Sequence, residues 1–536
     1  MPLPRARHTH LMGGGLAPSI FNDVVGPIMR GPSSSHSAAA VRIGLLLHDL
    51  CGGVPERVAL QYDSLGSLAT THESQGTDMG LYGGMLGWEP DDARLATSPT
   101  VLAAMADIVL EKPELGDAHP NTYRIEVSRS GVAHSLVALS TGGGMIEIIE
   151  IDGFEVSLFG DYAQTLLFFS SEADVDELVS TFDGLDSVDA VHTSTNATGS
   201  LFVLCGAQKH DVDSLRSLCG PHEVGAFQWR CVLPIRSRRG LTTAFDHASE
   251  IAQEIAAAPD RPLSDWALTY EMQRGDATEQ EVLAYAQRLL DIMRNGIAVG
   301  LACTDYNDRI LGWQSGGFVE KQQRGELLDG GLLNSMIAYV TALMEAKSAM
   351  EVIIAAPTAG ACATFPGALV ATLDALDSTN EQAQRALLTG GLIGVLFANR
   401  SSFAAEVGGC QAETGAGSAM AAAALTELGG GTAAQSLSAA SQAIQNVLGL
   451  ICDPVGNRVE APCLGRNVAG AANALSCANM ALAGYDHVIP LDEVLDAHKQ
   501  VSELMARELR CTGLGGLAVT PTAQRIELDL SRHRAQ

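Results

Sequence analysis

Between Ala416 and Leu428 the chain reads Ala-Gly-Ser-Ala-Met-Ala-Ala-Ala-Ala-Leu-Thr-Glu-Leu, small residues with a single charge. Alanine is the strongest helix former, and small side chains let backbones approach closely. The run therefore predicts a helix buried among close neighbours or against a cofactor. It lies in a second half, from about residue 240, that is rich in Ala, Gly and Leu and reads as helical. Thr278 followed three residues later by Glu281 is a capping-box signature. Beyond it Val282, Ala286, Leu289, Leu290 and Met293 fall on one helical face.

The first half has a different periodicity. Val58–Tyr62 and Tyr123–Val127 read as strands, and Gly142-Gly143-Gly144 predicts a tight turn before the alternating strand Met145–Ile151. From about Gly160 to Pro234 the pattern is strand (Thr165–Phe169), helix (Glu172–Phe182), strand (Val188–Thr193), strand (Leu201–Cys205). That order suits a helix on one face of a small antiparallel sheet, and it looks like a degenerate ACT-type regulatory module. Ile235–Gly240, with three arginines, reads as a linker. The expected organisation is a loose tail over residues 1–19, an α/β domain over 20–159, an ACT-like α+β module over 160–236 and an all-α domain over 237–527. No internal repeat of 20–50 residues is visible.

At 536 residues with 46% hydrophobic content the chain can bury several cores. Its formal charge of −29 repels phosphate backbones and anionic lipid, so neither nucleic acid nor membrane is an expected partner. No charge-free apolar stretch of membrane-spanning length occurs, and Met1–Ser19 lacks the apolar core of a signal peptide. Eleven cysteines, an odd number, then predict reduced thiols and a cytoplasmic location. Most of them, such as Cys51, Cys205, Cys219 and Cys231, read as small buried hydrophobes.

Three cysteines read differently. Cys410 follows Gly408-Gly409, Cys452 precedes Asp453-Pro454, and Cys463 follows Pro462, so each stands beside a chain-bending element. Thiolates so placed can point at one cluster while backbone N–H groups donate to its sulfurs. None of the spacings is a CxxC, and three structural cysteines in Gly/Pro-rich loops is the competing reading. Near the N-terminus, Ser33-Ser34-Ser35-His36 precedes a helical-looking stretch, Ala38–Leu47. N–H groups at that helix start, with the serine hydroxyls, would cradle a carboxylate, while a lone histidine such as His36 at a helix start is more often a cap or a surface residue.

With these residues the chain resembles the iron–sulfur L-serine dehydratases (L-serine ammonia-lyases), in a single-chain form, over roughly residues 20–525. The matching motifs are Ala356-Pro357-Thr358-Ala359-Gly360-Ala361, Ala405–Glu413, Cys452-Asp453-Pro454-Val455, Pro462-Cys463-Leu464-Gly465-Arg466-Asn467 and Gly515-Gly516-Leu517-Ala518. In the first half they are Gly26-Pro27, Gly31–Ser37, Gly66-Ser67, Gly76-Thr77-Asp78 and Pro90-Asp91-Asp92. The resemblance implies an all-helical catalytic domain whose Cys410, Cys452 and Cys463 hold a 4Fe–4S cluster, and an α/β domain akin to an allosteric substrate-binding domain. It implies dehydration and deamination of L-serine, or a close 3-hydroxy amino acid, to a keto acid and ammonia. An iron free of cysteine would act as Lewis acid and His36 as base. Because His36 is far in sequence from the cysteines, the expected site forms between domains, within or across chains, and a homodimer is expected. Thr358, Gly360, Arg466 and Asn467 are candidate substrate or cluster contacts. His72, His134, Arg400, Glu413 and Ser418 are weaker candidates.

The chain departs from the family in three places. Gln75 stands where many relatives carry a histidine before the Gly-Thr-Asp motif. The chain ends Arg534-Ala535-Gln536, without the terminal cysteine that caps the fourth iron in some relatives, and Cys511, the nearest thiol, is expected not to replace it. Arg458 lies between two cluster cysteines where many relatives are uncharged, which would admit a substrate with a second anionic group. Arg458→Ala should then abolish activity on that substrate and spare serine, and equal losses would dismiss the idea. Two further readings stay open. One is an L-cysteine desulfhydrase using the same β-elimination, separable by a sulfide assay; the other is a non-catalytic amino-acid sensor. A pyridoxal-phosphate lyase is disfavoured, since neither Lys321 nor Lys347 accompanies a convincing phosphate loop.

Overall fold

The structure is a computed structural model that describes residues 17–534 apart from 74, 220–221 and 307–308. It is multidomain, with an α/β region in the N-terminal half and a helical region in the C-terminal half. Its described residues form two compact units, one of residues 33–241 and one of residues 17–32 with 242–534.

The first unit holds two sheets. In the larger, six strands run in the order Asp107–Glu111, Arg57–Gln61, Thr122–Arg129, Val132–Gly142, Met145–Ile151, Phe154–Leu158. All neighbours are antiparallel except the parallel first pair. The three glycines Gly142, Gly143 and Gly144 all have positive φ and make the predicted turn. Val58, Leu60, Tyr123, Ile125, Val127, Leu136, Ile146 and Ile148 line the face that packs on the helix Ala39–Leu50, whose Ile43, Leu46, Leu47 and Leu50 are fully buried. This alternation is what period-2 side chains require when one face is covered by a helix.

The smaller sheet follows a strand–helix–strand–strand–helix–strand order. Its strands are Ala163–Ser170, Ala190–Asn196, Gly199–Gly206 and Glu223–Trp229, and its helices are Val175–Asp183 and Val212–Cys219. The first strand lies between the fourth and the third, all antiparallel, which is a ferredoxin-like arrangement. The first helix starts at Val175 rather than at the expected Glu172, because the Asp174 carboxylate caps the Glu177 N–H at 3.1 Å. The basic linker is held on this module. Arg239 donates to the Asp189 carbonyl at 2.7 Å, and Ser237 Oγ donates to Asp161 at 2.5 Å.

In the second unit Ala416–Leu428 is a helix with those bounds, and Ala419 through Ala424 are fully buried. It packs against the helices Asn380–Arg400, Ala433–Gln445 and Cys463–Leu482. The Thr278–Glu281 capping box forms at the head of Glu279–Ala302, with reciprocal bonds of 2.9 and 3.3 Å. A cap of this kind contributes about 1 kcal/mol. The expected tail over residues 1–19 needs correction at its end. Residues 1–16 lie outside the described residues, but Ser19 is fully buried, its Oγ donating to Glu271 at 2.5 Å. The Pro18 carbonyl accepts from Tyr270 at 2.7 Å. Farther on, the strand Ile28–Arg30 pairs antiparallel with Val352–Ile354, so residues 17–32 build into the helical unit. Among the described residues no helix is long and apolar enough to cross a membrane.

Candidate active site

Cys410, Cys452 and Cys463 lie on three segments of the helical unit, and all three are buried. Cys410 opens the turn Gln411–Gly415 that leads into the buried alanine-rich helix. Its approach depends on Gly409, at φ +70°, where a β-carbon would stand 2.8 Å from the Leu450 carbonyl. Gln411 fixes the turn, its N–H donating to Leu450 O at 2.9 Å and its amide reaching Ser502 Oγ and the Gly449 N–H. Cys452 is clamped through its backbone, donating to Leu509 O and accepting from the Cys511 N–H, each at 2.8 Å. Cys463 is the first residue of the helix Cys463–Leu482, entered through a cis Ala461–Pro462 bond.

The sulfurs of Cys410 and Cys452 and a carboxylate oxygen of Glu413 lie within 4.8 Å of one another. Cys463 stands farther out, near enough for the Cys410 thiolate to add to the effect of burial in raising its thiol well above the usual range. The Cys452 thiol donates toward Cys410, which brings Cys410 down to about 7, and the Arg466 guanidinium adds to that effect. Cys452 itself is held far up, first by giving its proton toward Cys410, with Cys511 beside it and burial adding to the effect. Arg466 reaches the Cys410 sulfur at 3.4 Å and is oriented by a 2.5 Å bond to Asp453. The other oxygen of Asp453 accepts the Leu517 N–H at 2.7 Å, and the preceding Gly516, at φ +60°, leaves room for it. The Gly-Gly-Leu-Ala motif thus holds the aspartate that aims the arginine.

The remaining candidates of this unit surround the same thiols. Thr358 Oγ1 donates to Glu413 at 2.7 Å, and a β-carbon at Gly360 would stand 2.6 Å from that carboxylate. Burial, with the Cys410 thiolate adding to it, pushes Glu413 up to about 8. Asn467 is fully buried and its amide is spent internally. It donates to the carbonyls of Gly360 and Cys463, both at 2.9 Å, and accepts from Thr364. It ties the 358–364 turn to the start of the Cys463 helix. Arg458 is buried just past the turn Val455–Asn457 that follows Cys452. Ser418 bonds to the Gly470 carbonyl at 2.8 Å, and Arg400 pairs with Asp496. The sequence gives Asp453 no role of its own, sets Cys511 aside as a cap of the fourth iron and ranks Glu413 among the weaker candidates. Glu413 had one usable signal, its position three residues after Cys410, which puts both on one side of a helical turn.

In the other unit, Ser34–Ala38 forms one wide turn continuous with Ala39–Leu50, so helical structure begins at Ser34, not at the expected Ala38. His36 lies within that turn, 6% exposed. Its Nε2 is 2.9 Å from Thr71 Oγ1 and its Nδ1 is 2.9 Å from Ser33 Oγ. Thr71 gives its hydroxyl proton to Ser67 O at 2.6 Å, so Nε2–H donates to Thr71 and Nδ1 accepts from Ser33. Ser35 offers its carbonyl to Ser140, and Ser34 is buried. His72 and His134 are each paired with an aspartate, Asp78 at 2.8 Å and Asp152 at 2.7 Å. Burial lowers His36 to about 4. An unfolded histidine titrates near 6.5, so between these values the unfolded state takes up the proton and stability falls as pH drops. The full contribution is present above pH 6.5, and about 3 kcal/mol is lost by pH 4. His36→Gln should flatten this slope in denaturant titrations at pH 6.5 and 4.5; an unchanged slope would assign it to other groups.

The donor set fits an iron–sulfur cluster: soft thiols, none in a disulfide, and an arginine N–H aimed at one sulfur. Residues 251–518 match the model of a family described as serine dehydratase alpha chain. The chain is 39% identical over 274 residues to a probable L-serine dehydratase alpha chain of Bacillus subtilis, covering 51% of this chain and 91% of that protein. It is 38% identical over 266 residues to the L-serine dehydratase alpha chain of Peptoniphilus asaccharolyticus, covering 49% and 91%. A probable beta chain from Bacillus subtilis is 39% identical over 150 residues, covering 28% and 67%.

Proposed function

The chain belongs to the serine dehydratase alpha chain family, and from that premise we propose that it is a 4Fe–4S-dependent L-serine ammonia-lyase with alpha- and beta-type parts fused in one polypeptide. The observation that carries the reading is the approach of Cys410 and Cys452 from two segments, with Cys463 on a third near enough to feel the Cys410 charge, beside an arginine already aimed at a sulfur. These three thiolates would hold three irons. The bound cluster supplies, at the iron without a cysteine, a Lewis acid for the substrate's hydroxyl and carboxylate.

The chain's own groups do the rest. Arg466, fixed by Asp453, donates an N–H to the Cys410 sulfur. Thr358 and Gly360 shape the wall that Glu413 closes. His36 is the proposed proton acceptor: it is neutral above about pH 5, and Nδ1 takes the substrate's α-proton once Ser33 gives up its bond. Ser34 and Ser35 are proposed to act with it. Loss of that proton and of the β-hydroxyl, as water, leaves an enamine that tautomerises and hydrolyses to pyruvate and ammonia. Expulsion of sulfide from L-cysteine would follow the same course. The ferredoxin-like sheet at 160–236 is proposed as an ACT-like module beside the α/β domain at 20–159, and the enzyme as a cytoplasmic homodimer with reduced thiols.

Cys511 gives this reading a sharp test. Its thiol lies beside Cys452, yet only three cysteines are proposed as ligands. Cys511→Ser should retain iron and activity close to those of the unaltered protein, whereas Cys463→Ser should lose both. Equal iron loss in the two variants would replace the three-thiolate site with a four-thiolate one.

A further inference from the structure

Lys347, on the helix Leu332–Ser348, has none of its surface exposed. Its Nζ donates to the Val459 carbonyl at 2.5 Å and lies 3.9 Å from the Met344 sulfur. Among the described residues no carboxylate comes within ion-pair distance of it. Val459 belongs to the turn between Cys452 and Cys463, and the lysine's helix packs along the one that Cys463 opens. The ammonium's field falls on Cys463, Cys362 and Glu413, easing ionisation of each.

An ammonium enclosed in protein with one carbonyl and a thioether for company is costly, because it has lost its water and gained no counter-ion. The same neighbourhood holds three cysteines that must ionise to bind metal. A cubane core held by three thiolates is net anionic, and such charge governs both its retention and its potential. Arg466 cannot serve as the whole counter-charge, since Asp453 already neutralises it at 2.5 Å. Lys347 is a nearby buried cation that no carboxylate pairs with among the described residues.

We propose that Lys347 is the counter-charge of the metal centre, an ammonium anchored on the Val459 carbonyl that retains the thiolate-bound cluster and that destabilises the protein when the metal is absent. It is a positioning residue, acting on substrate only through the cluster. The inference rests on the iron–sulfur reading above.

The test compares wild type, Lys347→Met and Lys347→Arg, all purified without oxygen. Two quantities are read: the rate at which a chelator removes iron, and the melting midpoint of the metal-free protein. Lys347→Met should release iron at least tenfold faster, while Lys347→Arg, which keeps the charge, should release it within about twofold of wild type. Metal-free Lys347→Met should melt about 2–4 °C above metal-free wild type, because an unpaired buried charge is gone. A lysine that merely props up the fold would move both readings toward instability. Iron release at the wild-type rate, or a lower metal-free midpoint, overturns the proposal. If Lys347→Met does not accumulate as folded protein, Lys347→Gln, which keeps a donor for Val459 but no charge, undergoes the same comparison and decides it. Wild-type protein that holds no iron would instead sink the cluster reading, and is recognised because the chelator then removes nothing.

Discussion

Replacing Cys452 with serine is expected to remove the iron and, with it, at least about 10³-fold of the rate of pyruvate formation. The size follows from the several kcal/mol that a Lewis-acid metal contributes to charge stabilisation in a transition state, at 1.36 kcal/mol per tenfold. Cys452 is the member whose loss should be felt most widely. Its thiol lies beside both Cys410 and Cys511, and its backbone is bonded to Leu509 and Cys511. Serine fills nearly the same space and keeps those backbone bonds, so the folded protein should persist. Iron and sulfide analysis on the soluble variant, with circular dichroism as the control for folding, checks the expectation. A variant with normal iron content would remove Cys452 from the ligand set.

The second large effect is expected from air. An iron that lacks a cysteine ligand is the one most easily oxidised and lost, so prolonged aeration should cost at least tenfold in activity. Incubation with Fe(II) and a thiol reductant without oxygen should restore most of it. Cys410, Cys452 and Cys463 are enclosed, so loss of the whole cluster should lag behind loss of activity. The measurement is activity and iron content on one aerated sample through time. Activity that survives aeration unchanged would argue against a catalytic cluster.

Much of the site was legible because its chemistry is local. Cys410, Cys452 and Cys463 each announced a bend through an adjacent Gly or Pro, and the run Ala416–Leu428 announced a buried helix by composition alone. The strand Met145–Ile151 was legible from its alternation, and the capping box from Thr278 and Glu281. What escaped depends on long-range pairing. Cys511 reaches Cys452 because residue 510 bridges to residue 452, a contact with no signal in either segment. Ile28–Arg30 joins Val352–Ile354 across more than three hundred residues, which is why residues 20–32 read as the start of the α/β domain. Asn467 looked like a substrate contact because it follows Cys463 and Arg466. Only the fold shows that Gly360, Cys463 and Thr364 use up its amide. The last strand of the ferredoxin-like sheet, Glu223–Trp229, carries Gly225 and no clean alternation, so its pattern was weak, whereas the helix Val212–Cys219 carried a signal that went unread, with Val212, Leu215 and Cys219 at helical spacing.

The most direct test of the central claim is release of pyruvate and ammonia from L-serine by protein purified without oxygen, with iron and acid-labile sulfide counted on the same sample. The predicted result is equal pyruvate and ammonia from protein carrying about four irons and four sulfides per chain. Iron-loaded protein that forms no pyruvate from L-serine, or pyruvate formed at full rate by protein free of iron, would contradict it.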